Sequence, residues 1–156
     1  MKTLVQNCVI ARLDYCNSLY NGINMKSIKR LQRAQNTAAR LISGTNIRDS
    51  ISPVLRDLHW LPVNKRCQYK IMVLIYNALH GQAPAYINDM INWYHPRRPL
   101  RSANVPSLTP RKHRTIRFGK RLCDTAAATI WNSLPSELKC VTSVITFKKQ
   151  LKTYLF

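Results

Sequence analysis

Along most of the chain, apolar positions recur at intervals of three and four, the spacing that gathers side chains on one side of an α-helix. Residues 3–20 predict a first helix, with Leu4, Val5, Val9, Leu13, Cys16 and Tyr20 along one broad side and Asn21-Gly22 as its stop. A second is predicted over about 26–42. There Ile28, Leu31, Ala34, Ala38 and Leu41 make an apolar stripe, Lys26, Lys29, Arg30, Arg33 and Arg40 gather opposite, and Ser43-Gly44 marks the end. A short helix near 51–58 leads to "HWLPV", where Pro62 suits the first turn of a helix over about 63–80. In that helix Ile71, Met72, Val73, Leu74, Ile75, Tyr76, Ala78 and Leu79 leave only Asn77 polar, so it is expected at the centre of a bundle. His80 and Gly81 close it, the imidazole as a partner of the negative helix end rather than a ligand.

Pro84 predicts a short helix through Ile91. Residues 92–113 then hold four of the 8 prolines, at 96, 99, 106 and 110, which excludes regular helix and predicts an extended or turning loop. Helical spacing returns from Arg117 to Trp131, Pro135 breaks and restarts the chain, and residues 143–156 are amphipathic. In that last helix Ser143 is the candidate N-cap, Val144, Phe147, Leu151 and Leu155 form the stripe, and Lys148, Lys149 and Lys152 face away. With only 4 glycines and little strict alternation, the predicted class is all-α: one irregular multi-helix bundle over 1–156 around a central apolar helix (about 63–80), with one long basic Pro-rich loop (about 92–113).

Charge changes this picture most. The chain has 25 Lys+Arg against 6 Asp+Glu, a net charge of +19, which attracts polyanions strongly at moderate salt. An apolar content of 46% suffices for a sizeable core, so disorder over the full length is not expected. The longest apolar run, "IMVLIY", falls well short of the ~20 residues a membrane span needs, and Gln6, Asn7, Arg12 and Asp14 interrupt any signal-peptide pattern. A soluble, intracellular protein of the cytoplasm or nucleus is therefore expected. Its 5 cysteines form no Cys-x-x-Cys pair, and free thiols are the expectation.

The residues offer little for catalysis. No two of the acids, Asp14, Asp49, Asp57, Asp89, Asp124 and Glu137, are neighbours, as a two-metal site would favour. His59, His80, His95 and His113 lie too far apart to pair on one helix face for zinc, and no Gly-rich oxyanion or phosphate-cradling turn occurs. Polyanion binding is better supported. Between 97 and 121, Arg97, Arg98, Arg101, Arg111, Lys112, Arg114, Arg117, Lys120 and Arg121 occur without a single acid. Guanidinium forks suit bidentate contacts to phosphate oxygens. Trp93, Tyr94 and Phe118 flank the segment as candidates for base stacking or as core residues, and Lys29, Arg30 and Arg33 of the second helix are a weaker cationic candidate.

Seven stretches carry a resemblance: "RLDYCNSLYNGI" (12–23), "LQRAQNTAARLI" (31–42), "LHWLPVNKR" (58–66), "YKIMVLIYNALHGQAPAYI" (69–87), "RPLRS" (98–102), "AAATIWNSLPSELK" (126–139) and "FKKQLKTYLF" (147–156). In this order they resemble the C-terminal, post-palm region of reverse transcriptases from non-LTR (LINE-type, jockey-like) retrotransposons, with "HWLPV" and "WNSLP" the most specific. The resemblance implies descent from an RNA-directed DNA polymerase of a transposable element, a helical fold, and a part in holding template RNA, primer or target DNA. Such polymerases carry metal-binding aspartates in a Tyr/Phe-x-Asp-Asp turn; this chain has no Asp-Asp, and no endonuclease domain. No enzyme activity and no cofactor are expected of this chain, Mg²⁺ belonging to the missing polymerase part. Ala128 stands where related tails often have proline and Lys120 where they often have an acid. The resemblance further implies a fragment of a longer reading frame, as a truncated or decaying copy.

Two readings follow. One is a nucleic-acid-binding accessory tail contacting RNA or DNA phosphates through the basic loop. The other is a structural or protein-interaction remnant whose partner is the upstream polymerase domain. Neither involves a membrane or a small-molecule substrate.

Overall fold

The computed structural model describes residues 2–94, 98, 106–110 and 123–156, with side chains in the last span from Ala126 onward. Among these residues helix predominates and no sheet forms, the all-α class that the spacing predicts. The chain divides into two compact units, Met1–Cys67 with Leu155–Phe156, and Gln68–Tyr154.

The first unit begins with α1 (Lys2–Val5) and α2 (Ala11–Asp14), joined by a π-helical turn at Gln6–Ile10. The wider turn carries the buried side from Val5 to Ile10 and then to Leu13, instead of along the predicted row. Leu4 is accordingly 66% exposed and Ile10 fully buried. The predicted helix over 3–20 also ends early, because Cys16 takes a left-handed φ of 47° and Asn17–Tyr20 form a 3₁₀ turn. That reversal turns Asn17 inward, where its amide donates to Asp14 Oδ1 at 3.3 Å.

α3 (Met25–Ser43) starts where Asn24 accepts the Lys26 N–H and stops at Gly44, whose φ of 68° lets its N–H reach Arg40 O. Its inner face runs through Ile28, Gln35, Ala38 and Ala39, while Ala34 and Leu41 of the predicted stripe are exposed. Gln35 can replace an apolar residue there because its amide is bonded. It donates to Leu61 O at 2.9 Å and accepts from Gln32 Nε2, also at 2.9 Å. Gln32 Oε1 in turn accepts the Val63 N–H at 2.8 Å.

α4 (Ser52–Asp57) ends in a Schellman arrangement, with Trp60 N–H on Leu55 O and His59 N–H on Arg56 O, and His59 in the left-handed position at φ 56°. α5 (Val63–Leu79) follows, so Pro62 stands just before the helix rather than inside its first turn. At its start Arg66 forms a two-pronged ion pair with Asp14, through Nε to Oδ1 and Nη2 to Oδ2. The core here combines Val5, Ile10, Leu13, Ala38, Ala39, Leu55 and Trp60, with Ile28, Val63 and Cys67 as a second cluster.

In the second unit Tyr76 is fully buried, stacked against Phe147 at 4.2 Å, and donates its hydroxyl to Val141 O at 2.8 Å. His80 acts at the helix end as expected, with Nδ1 2.9 Å from Tyr76 O and its ring 4.0 Å from the Tyr76 ring. Gly81, at φ 68°, permits the closing bonds Gly81 N–H to Ala78 O and Gln82 N–H to Asn77 O. α5 is less enclosed than its all-apolar sequence predicts. Val73, Leu74 and Leu79 are half-buried, and Ile71, Leu74 and Ile75 line an apolar cleft of ≈ 230 Å³ with Ile87, Ile91 and Ala127.

α6 (Ala85–Asn88) stops short of the predicted Ile91, although single-turn bonds continue to that residue. α7 (Cys123–Asn132), α8 (Ser136–Lys139) and α9 (Val144–Leu155) complete the unit. Pro84 and Pro135 each precede a helix and lend it a first carbonyl, to Ile87 and Lys139 N–H respectively. α9 keeps its predicted stripe, with Phe147, Leu151 and Leu155 buried, and the Ser143 carbonyl receives the Phe147 N–H.

Gln35→Ala should leave the Leu61 carbonyl buried and unpaired and a cavity beside it, costing about 2–4 kcal/mol in urea unfolding. Burial pushes the Cys67 thiol from 9.0 up to about 11, with the Asp14 charge adding to the rise. The folded state therefore holds that proton more tightly than the unfolded chain. Its stabilisation is complete below pH 9.0 and is lost as pH rises towards about 11. Iodoacetamide at pH 8 should label the exposed Cys8, Cys16 and Cys140 and spare Cys67 until urea unfolds the chain, as read by mass spectrometry.

Candidate nucleic-acid interface

Beside the basic stretch, the described residues of the second unit form a short ribbon. Trp93 and Leu108 form an isolated antiparallel bridge, with Tyr94 N–H on Ser107 O at 3.0 Å and Thr109 N–H on Asn92 O at 2.8 Å. Both bonds flank the bridged pair, so the Leu108 N–H and C=O point away from the ribbon. Asn132, at the end of α7, captures both. Its Oδ1 accepts the Leu108 N–H at 2.9 Å and its Nδ2 donates to Leu108 O at 2.8 Å, one side-chain amide standing in for a third strand.

α7 can come this close because its buried side is built from Ala126, Ala127 and Ala128, and it ends in the fully buried Trp131. The Trp131 indole N–H donates to Pro106 O at 3.0 Å. Lys139 is buried, and its Nζ donates to the Asn132 carbonyl at 3.0 Å, capping α7. Desolvation holds the Lys139 pKa below its ordinary value, with Cys140 opposing the shift. Charge and site chemistry do not single out Asn132 or Trp131; the sequence marks them only through the "WNSLP" stretch.

Of the side chains flanking the loop, Trp93 is 45% exposed and Tyr94 50% exposed. Arg98 is exposed as well. Arg97, Arg101, Arg111, Lys112, Arg114, Arg117, Lys120, Arg121 and Phe118 lie outside the described residues.

In the first unit, Lys26, Lys29, Arg30 and Arg33 are exposed along one side of α3, a helix with no acid, and none has an ion-pair partner among the described residues. Arg40 differs from them. Its guanidinium is spent on the carbonyls of Asn46, Ile47 and Asp49, at 3.2, 3.3 and 3.0 Å, and it folds the segment after α3 instead of facing solvent freely.

Among the described residues no three His, Cys, Asp or Glu side chains gather as metal ligands would, and no helix is long and apolar enough to cross a membrane. Asn132→Ala should free both Leu108 groups and release the ribbon, with a local cost of about 1–3 kcal/mol. Amide hydrogen exchange checks this: the Tyr94, Leu108 and Thr109 amides should lose protection while those of α5 keep theirs. Comparison with protein families, curated proteins and solved structures finds no match for the chain.

Proposed function

We propose that the chain is a non-catalytic nucleic-acid-binding tail, derived from the post-palm region of a non-LTR retrotransposon reverse transcriptase, that holds RNA or DNA mainly through its phosphates. The observation that carries the reading is the stretch from 97 to 121, with nine Lys/Arg and no acid. The adjoining ribbon is bonded across its bridge and, at Leu108, to Asn132, which gives the described residues beside this stretch a firm base. The exposed cations of α3 give the first unit a basic face of its own.

Charge sorting supports this assignment. Where a cation has a structural task it is bonded, as Arg66 is to Asp14, Arg40 to three carbonyls and Lys139 to one. With 25 cations and 6 acids, most of the rest have no internal countercharge to meet. An external polyanion supplies it, and binding releases the counterions condensed on that polyanion.

A second reading is a structural or protein-interaction remnant of the polymerase with no independent activity. It is favoured by the exposure in the first unit of Leu4, Tyr15, Leu19 and Ile47, at 66, 77, 74 and 83%, which leaves apolar surface for a protein neighbour.

Salt dependence separates the two. A site engaging roughly six phosphates should lose at least a decade of affinity when salt is raised a few-fold. Substituting Arg111, Lys112, Arg114 and Arg117 with Ser should flatten that slope in a fluorescence-anisotropy titration with RNA and with DNA. An unchanged slope would remove the loop from the site. Mg²⁺-dependent polymerisation or cleavage by the purified chain would refute the non-catalytic assignment.

A further inference from the structure

We infer that the ribbon at Trp93 and Tyr94 is a stacking platform that makes the chain select single-stranded nucleic acid over duplex. The inference rests on the nucleic-acid reading and sharpens it, because phosphate contacts alone hold both forms.

The three tryptophans are treated differently. Trp60 and Trp131 are 4% and 0% exposed, whereas Trp93 stays 45% exposed, directly followed by Tyr94 at 50%. These two rings precede by a few residues the segment richest in cations, and Arg98 is exposed. Aromatic faces next to phosphate-binding charge are what an unpaired base needs, since every base has a π-face to stack.

Rigidity argues the same way. The Trp93 segment is bonded to Ser107 and Thr109 across the bridge, and Leu108 opposite is bonded twice to Asn132. The rings are thus carried on backbone that is already ordered, so little further entropy is lost when a base arrives. In extended backbone successive side chains point to opposite faces, which sets the two rings on opposite sides of the ribbon. A single strand can bend around so thin an edge and place bases on both rings. A duplex cannot, because its bases are already paired and stacked and its helix resists bending on this scale.

The test compares an oligo-uridine, an oligo-thymidine and a blunt duplex, each about twelve nucleotides long, within the site sizes usual for such proteins. Tryptophan fluorescence reports largely on Trp93, the exposed one of the three, and both single strands should quench it at saturation while the duplex leaves it nearly unchanged. At equal salt the single strands should bind about tenfold more tightly. The double variant Trp93→Leu/Tyr94→Leu should lose about that tenfold for single strands and less than twofold for the duplex. Trp93→Phe/Tyr94→Phe, which keeps the π-faces, should recover most of the loss, and circular dichroism melts confirm that each variant is folded.

Failure has two distinguishable forms. Equal binding of all three probes, or saturation by single strands without quenching of the unmodified chain, overturns the stacking platform and leaves phosphate binding standing. Absence of binding to every probe overturns both, and points the exposed rings towards a protein partner.

Discussion

Pro62 stands immediately before α5 and has no N–H and no side chain able to cap it. The groups on either side of it, the Leu61 carbonyl and the Val63 N–H, are both buried, and each would be costly if left unpaired. Two glutamines one helical turn apart on α3 resolve this together: Gln35 donates to the first and Gln32 accepts from the second. Because Gln32 also donates to Gln35 and to Asn36, the amides hold one another in place. Trp60, Leu61 and Val63 can then be buried as a run, at 4, 4 and 2% exposure, and the direction of α5 follows. The Asp14–Arg66 pair, one turn further along, adds a second tie to the same helix start.

This arrangement marks the limit of what spacing alone reveals. Helices that pack by an ordinary apolar stripe are legible: α5 and α9 lie where predicted. Where a polar atom takes part in packing, the apolar pattern misleads. Gln35 displaced Ala34 and Leu41 from the inner face of α3, because a bonded amide is buried more cheaply than its composition suggests. The π-turn at Gln6–Ile10 did the same for the first helix by adding one residue to the repeat, which exposes Leu4 and buries Ile10. No local rule anticipates either, since one depends on a contact 26 residues away and the other on how α1 and the π-turn settle against α3.

The candidate interface was legible in its charge but not in its support. Lys29, Arg30 and Arg33 are exposed as their spacing predicts, whereas Arg40, on the same predicted face, is drawn into binding carbonyls. The Trp93–Leu108 bridge leaves no periodic trace, being a single residue pair separated by 14 residues in which three prolines interrupt any pattern. Its strength comes from outside it. "WNSLP" supplies an indole to Pro106 and an amide to Leu108, so a short motif ties the ribbon to the end of a helix.

Division of labour among the cations then explains how such a chain tolerates its charge. A net charge of +19 in a small fold is self-repelling, and burial of any of it without a partner would add a desolvation cost. Among the described residues the only cation buried outright is Lys139, which meets a helix-end carbonyl at 3.0 Å and has a lowered pKa that reflects the remaining cost. Arg66, more deeply placed than the surface arginines, holds the single ion pair among the described residues. The exposed cations remain in high dielectric, where repulsion between them is screened by salt and costs little until a polyanion displaces that salt. The fold rests on amides, aromatic stacking and a few paired charges. Under the proposed function, stability and phosphate binding therefore draw on different residues, and contacts made by the exposed cations leave the core beneath them unchanged.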